Sequence, residues 1–128
     1  MLIIRQQQME AFRSLLERDF VARLVVRAES RFPEQARQAN GRAGLEARIV
    51  AAVGRARKYG LTSKRDVTRF IDMDFTAGPD FELAPGMEWA RGILEISGLN
   101  GPTRLHRVET RLAKAAQAGT EEQPDGQS

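Results

Sequence analysis

The chain has 128 residues, 41% of them hydrophobic, and a formal net charge of +3. That length fits one domain with a real core, and that composition fits a globular rather than a disordered chain. With no cysteine and a lone histidine, His106, disulfides, thiolate zinc sites, a cysteine nucleophile and a multi-histidine metal centre are excluded, which leaves carboxylates, hydroxyls and arginine for any chemistry.

The apolar runs Leu2-Ile3-Ile4 and Leu24-Val25-Val26 fall far short of the roughly 20 residues that cross a bilayer. The opening MLIIRQQQMEAF lacks the apolar region and flanking signals of a secretory leader, so a cytoplasmic protein without a membrane contact is expected. Charge is unevenly spread. Residues 1–60 carry twelve basic side chains against six acidic ones, residues 61–86 carry three against five, and the last nine carry three acidic side chains and no basic one. Arginine outnumbers lysine 17 to 3, a bias toward the planar fork that suits carboxylates and phosphates, and also one that GC-rich bacterial coding produces.

From residue 6 to 31, Met9, Phe12, Leu16, Phe20, Leu24 and Ala28 recur at steps of three and four, which predicts one long amphipathic helix. Phe32-Pro33 ends it, because the residue before proline disfavours helical backbone. The polar stretch 34–44, with its Asn40-Gly41 step, reads as a short helical piece and a loop. A second long helix is predicted over 45–59, with Leu45, Ile49, Ala52, Val53 and Ala56 inward, Arg48, Arg55, Arg57 and Lys58 outward or terminal, and Gly60 closing it. Ser63 with Asp66 forms a capping box that opens a helix over 64–76, whose apolar stripe is Val67, Phe70, Ile71 and Phe75, and Gly78-Pro79 stops it. Short and final helices follow over 87–96 and 103–118. The fold class predicted is an all-α, single-domain bundle of about five helices over 1–118, with a disordered acidic tail over 119–128.

The acidic group Asp72, Asp74, Asp80 and Glu82 is the candidate for a bound cation or acid-base work. On one helix Asp72 and Asp74 point about 160° apart, so they do not share a ligand, and DMDFTAGPDFEL does not fit a calcium-binding loop. No serine sits in a nucleophile elbow. Neither a catalytic residue, a cofactor site nor a metal site is assigned, and a non-enzymatic protein is expected. Arg23, Arg27 and Arg31 share one helix face and could meet phosphates or an acidic protein. Phe81 and Trp89, flanked by Gly and Pro turns, are the aromatics placed to anchor a partner, although sealing the core is the plainer role for them.

The segment YGLTSKRDVTRFIDMDF, followed by GPDFE and then MEWARGIL, resembles a group of small helical proteins encoded beside type VI secretion effector genes in proteobacteria, over about residues 1–115. The resemblance implies an accessory role near a toxin, as a chaperone or adaptor that loads an effector or as an immunity protein, and it carries no catalytic residues with it. The function expected is therefore protein binding, with Asp72, Asp74, Asp80, Phe81, Trp89, Arg23, Arg27 and Arg31 as contact residues, a secreted effector as partner and a homodimer as a further possibility. The alternative is an arginine-rich nucleic-acid binder.

Overall fold

A computed structural model describes residues 9–10 and 13–127, with side chains as far as Gln117. Among the described residues the secondary structure is helical, with no strand, so the chain is all-α. The helices are α1 (Arg18–Arg31), α2 (Pro33–Arg37), α3 (Gly41–Lys58), α4 (Lys64–Ala77), a 3₁₀ turn (Phe81–Leu83), α5 (Glu88–Leu94) and α6 (Gly101–Gln127). Where the length predicts one domain, the chain divides into two compact units, 1–81 and 82–128.

The predicted long first helix is interrupted. Residues 13–15 are helical, Leu16 is in a turn, and Glu17 (φ −53°, ψ 139°) leaves helical space to cap α1. The break changes the phase of the apolar stripe. A continuous helix would bury Leu16, whereas Leu15 is 1% exposed and Leu16 only half-buried, while Phe20, Val21, Leu24, Val25 and Ala28 face the core of α1. Met9, predicted inward, is 50% exposed. Phe12 and residues 2–4 lie outside the described residues.

Phe32 ends α1 as predicted, and Pro33 then begins α2, where its missing N–H costs nothing. The helix predicted to start at Leu45 starts four residues earlier. Asn40 in the left-handed region (φ 61°) and Gly41 (φ 87°) turn the chain directly into α3. Gly44 makes that turn possible, since a Cβ there would lie 1.7 Å from the carbonyl oxygen of Ala39. At the other end the Gly60 N–H donates to the Arg57 carbonyl (2.9 Å) and the Leu61 N–H to the Ala56 carbonyl (3.0 Å), a Schellman closure with Leu61 buried against the helix it ends. Two residues later the Ser63 hydroxyl accepts the Asp66 N–H (3.1 Å) and opens α4.

In this first unit α3 packs against α1, α2 and α4. The short connections make the order up, down, up. Arg42 at the start of α3 lies 3.5 Å from Glu29 near the end of α1, so those two helices are antiparallel. The start of α4 lies beside the start of α1, with Lys64 Nζ 5.5 Å from the Phe20 ring centre, and Asp72 meets Arg27 further along, so α1 and α4 run parallel. The core holds Ile49, Val53, Val67 and Phe70, each fully buried, and ring pairs bind it, Phe32 stacked on Phe75 (5.4 Å) and Phe70 tilted against Phe81 (5.6 Å).

In the second unit α5 packs on α6, burying Ala90, Leu94, Leu105 and Val108. The Asn100 side chain accepts the Thr103 N–H (2.8 Å) to cap α6, and Arg104, 8% exposed, donates to the carbonyl of Leu94. Helical backbone in α6 runs on past Gly119, through the segment whose composition predicts a disordered tail. Replacing Ser63 by Ala removes the cap of α4 and is expected to cost about 1 kcal/mol. Urea unfolding should show a lower midpoint with an unchanged slope.

Candidate functional site

Asp72 and Asp74 both lie inside α4, which continues to Ala77, so the 100° step per residue sends their carboxylates to opposite sides. Asp74 points into the first unit and is 1% exposed. Its Oδ1 accepts Arg55 Nη2 at 2.7 Å and the Asp80 N–H at 3.0 Å, and its Oδ2 accepts Arg48 Nε at 3.3 Å. Arg48 also donates through Nη2 to the Asp74 carbonyl (2.8 Å), and Arg55 reaches Asp80 Oδ1 at 3.0 Å. Each guanidinium lies over a ring, Arg48 over Phe75 at 4.1 Å and Arg55 over Phe70 at 5.3 Å, which adds cation–π attraction. Arg48 and Arg55, predicted outward or terminal, are turned in because α3 presents them across from the buried carboxylate. Their side chains are 15% and 13% exposed. This is a structural clamp that holds the 78–80 turn, with Asp80 in left-handed backbone (φ 55°), against α3 and α4.

Asp72 takes the other side. Arg27 grips it with both fork positions, Nε to Oδ1 at 3.0 Å and Nη2 to Oδ2 at 2.6 Å. The carboxylate hydrogen bond holds the Arg27 guanidinium above its already high ordinary pKa, so the cation stays charged. The pair marks one end of a groove of about 530 Å³ between α1 and α4, floored by Phe20 and Leu24 and walled by Arg23, Arg27, Lys64, Arg65 and Arg69. Lys64 is also within 3.6 Å of Glu17. Arg23 and Arg65 are exposed and have no ion-pair partner among the described residues. Because α1 and α4 are parallel, their positive N-terminal dipole ends lie at the same end of this groove and add to its potential.

A second surface lies on α3. Ala43, Ala47, Val50, Ala51 and Gly54 fall within about 100° of arc on the side away from the core, and no charged residue interrupts them. Val50 is 38% exposed, and Ala22 of α1 lies with it around a cleft edged by Arg18 and Glu46. One turn on from Ala22, Val26 is 55% exposed. In the second unit Arg111 lies 4.6 Å over the half-buried Trp89 ring, and Ile93, His106, Arg107, Thr110 and Lys114 join Arg111 around a cleft of about 320 Å³.

The eight predicted contact residues are thus dispersed. Asp74 and Phe81 (2% exposed) are interior, against the expectation that they form a contact surface, because the arginine clamp and the Phe70 ring claim them. Asp80 is exposed but tied to Arg55, and Trp89 is covered by Arg111. Arg23 and Arg27 line the groove together, while the exposed Arg31 is not among its lining residues. Lys64, Arg65 and Arg69 complete the groove, and nothing in a linear reading brings α4 beside α1. Comparison with protein-family models, curated proteins and solved structures finds no match to this chain.

Replacing Asp74 by Ala takes the buried carboxylate away from two mostly buried guanidinium groups, Arg48 and Arg55, and is expected to cost about 3–5 kcal/mol, enough to unfold a marginal domain. Asp72→Ala, at a partly exposed pair, is expected to cost no more than about 1 kcal/mol. Denaturant unfolding of the two variants side by side measures the difference.

Proposed function

We propose that this chain is a non-enzymatic protein-binding module, an accessory protein of a bacterial type VI secretion effector locus that acts in the cytoplasm as a chaperone, adaptor or immunity partner of an effector. The observation that supports it most directly is the outer side of α3. A helix that is apolar on its core side normally carries charge on the other, yet from Ala43 to Gly54 the strip of α3 opposite the core is alanine, valine and glycine, with the exposed Glu46 at its edge. Small side chains there let a partner's helix approach closely and exclude water without a desolvated charge to compensate. The exposed Val26 and Val50 supply the larger apolar contacts, and Arg18 and Glu46 at the cleft edge supply polar ones at the rim. The acidic segment does not compete as a reactive centre, because Asp72 and Asp74 are each held by arginine. The secretion-locus assignment rests on the resemblance of the segment from Tyr59 to Leu94.

An apolar contact survives salt that screens exposed charge pairs. The tagged protein co-expressed with its neighbouring genes should therefore retain an effector in roughly 0.5 M salt. Ala47→Glu and Val50→Glu, both at exposed positions, should release that effector while leaving the unfolding free energy within about 0.5 kcal/mol of the parent. Recovery of the chain alone, or retention by both variants, would refute the reading.

A further inference from the structure

The cationic groove between α1 and α4 has a different chemistry from the α3 face. From Phe20 to Arg27 along α1 it runs for about 10 Å, and from Lys64 to Asp72 along α4 for about 12 Å, the length of three or four extended residues. Its two walls face each other with opposed cations, Arg23 and Arg27 on one side and Lys64, Arg65 and Arg69 on the other, against the single carboxylate of Asp72. Arg27 is committed to Asp72, and Lys64 is near Glu17, whereas the exposed forks of Arg23 and Arg65 have no ion-pair partner among the described residues.

We propose that this groove binds a short acidic polypeptide segment, with carboxylates of the segment held by Arg23 and Arg65 over the floor made by Phe20 and Leu24. A guanidinium fork matches a carboxylate in two parallel hydrogen bonds, and two such forks on opposite walls grip side chains that point to alternate sides of an extended chain. The positive field is also short. Glu17 stands at one end of the groove and Asp72 at the other, so the cations do not continue into the track that a nucleic-acid backbone follows over many phosphates. The proposal names partner chemistry for the protein-binding function above, but it stands on other residues, and the two can fail separately.

The test is fluorescence anisotropy on the full chain with a labelled peptide carrying four consecutive glutamates, a matched glutamine peptide and a labelled oligothymidylate. The glutamate peptide should bind, weakening at least tenfold between roughly 50 and 200 mM salt, and the glutamine peptide should not. The double variant Arg23→Glu/Arg65→Glu should lose the glutamate peptide by at least tenfold and gain a matched lysine peptide. That exchange of preference shows that the variant is folded and that the groove reads charge. Ala47→Glu should leave the affinity unchanged, which separates this groove from the α3 face. Equal binding of the glutamate and glutamine peptides, or unaltered binding by the double variant, would overturn the proposal. Tighter binding of the oligothymidylate than of the glutamate peptide would overturn it in favour of a nucleic-acid backbone.

Discussion

The first unit depends on the buried carboxylate of Asp74. A carboxylate at 1% exposure is tolerable only if charge and lone pairs are both met, and here two guanidinium groups and one backbone N–H meet them. The consequences spread along the chain. Arg48 and Arg55 fix the rotation of α3, the Asp80 N–H fixes the turn after α4, and the guanidinium groups lie over Phe75 and Phe70, which themselves pack on Phe32 and Phe81. Polar satisfaction and aromatic packing therefore specify the same arrangement, and neither could shift without breaking the other.

That arrangement sets the surface as well. With Arg48 and Arg55 turned toward Asp74, an uncharged strip of Ala43, Ala47, Val50, Ala51 and Gly54 is left on the opposite side of α3, between the exposed charges Arg42 and Glu46 and the terminal Arg57 and Lys58. The up, down, up order forced by short connections makes α1 and α4 parallel. Their basic N-terminal halves then stand side by side, and cations that each helix would carry as a solvated stripe converge on one groove. An apolar face and a basic groove on one small unit offer two kinds of surface that respond differently to salt.

The second unit is built differently. Its core is the small set Ala90, Leu94, Leu105 and Val108, and Arg104 donates to the Leu94 carbonyl at the end of α5, a C-terminal end that favours a cation. Trp89 gives one face to Arg111, so the aromatic that a linear reading offers as an anchor is already in contact within its own unit.

Much of the fold was legible in the sequence wherever the cause is local. Phe32-Pro33 ends a helix because of proline sterics, Gly60 closes α3 because its left-handed backbone costs glycine little, and Ser63 opens α4 because its hydroxyl reaches the Asp66 N–H. The divergence of Asp72 and Asp74 was legible too, since it follows from the helical step alone. The interruption at Leu16-Glu17 was not, because the apolar spacing continues through it, and only the packing that buries Leu15 selects the new phase. Which arginines meet the carboxylates was equally hidden. Arg27, Arg48 and Arg55 lie 45, 26 and 19 residues from their aspartates, and periodicity carries no information across such separations. The sequence by itself determined that the chain is helical, where most helices begin and end, and that it is rich in arginine. Tertiary structure alone decided which of those arginines became interior counter-charges and which were left exposed, because that depends on how helices distant in the chain are rotated against one another.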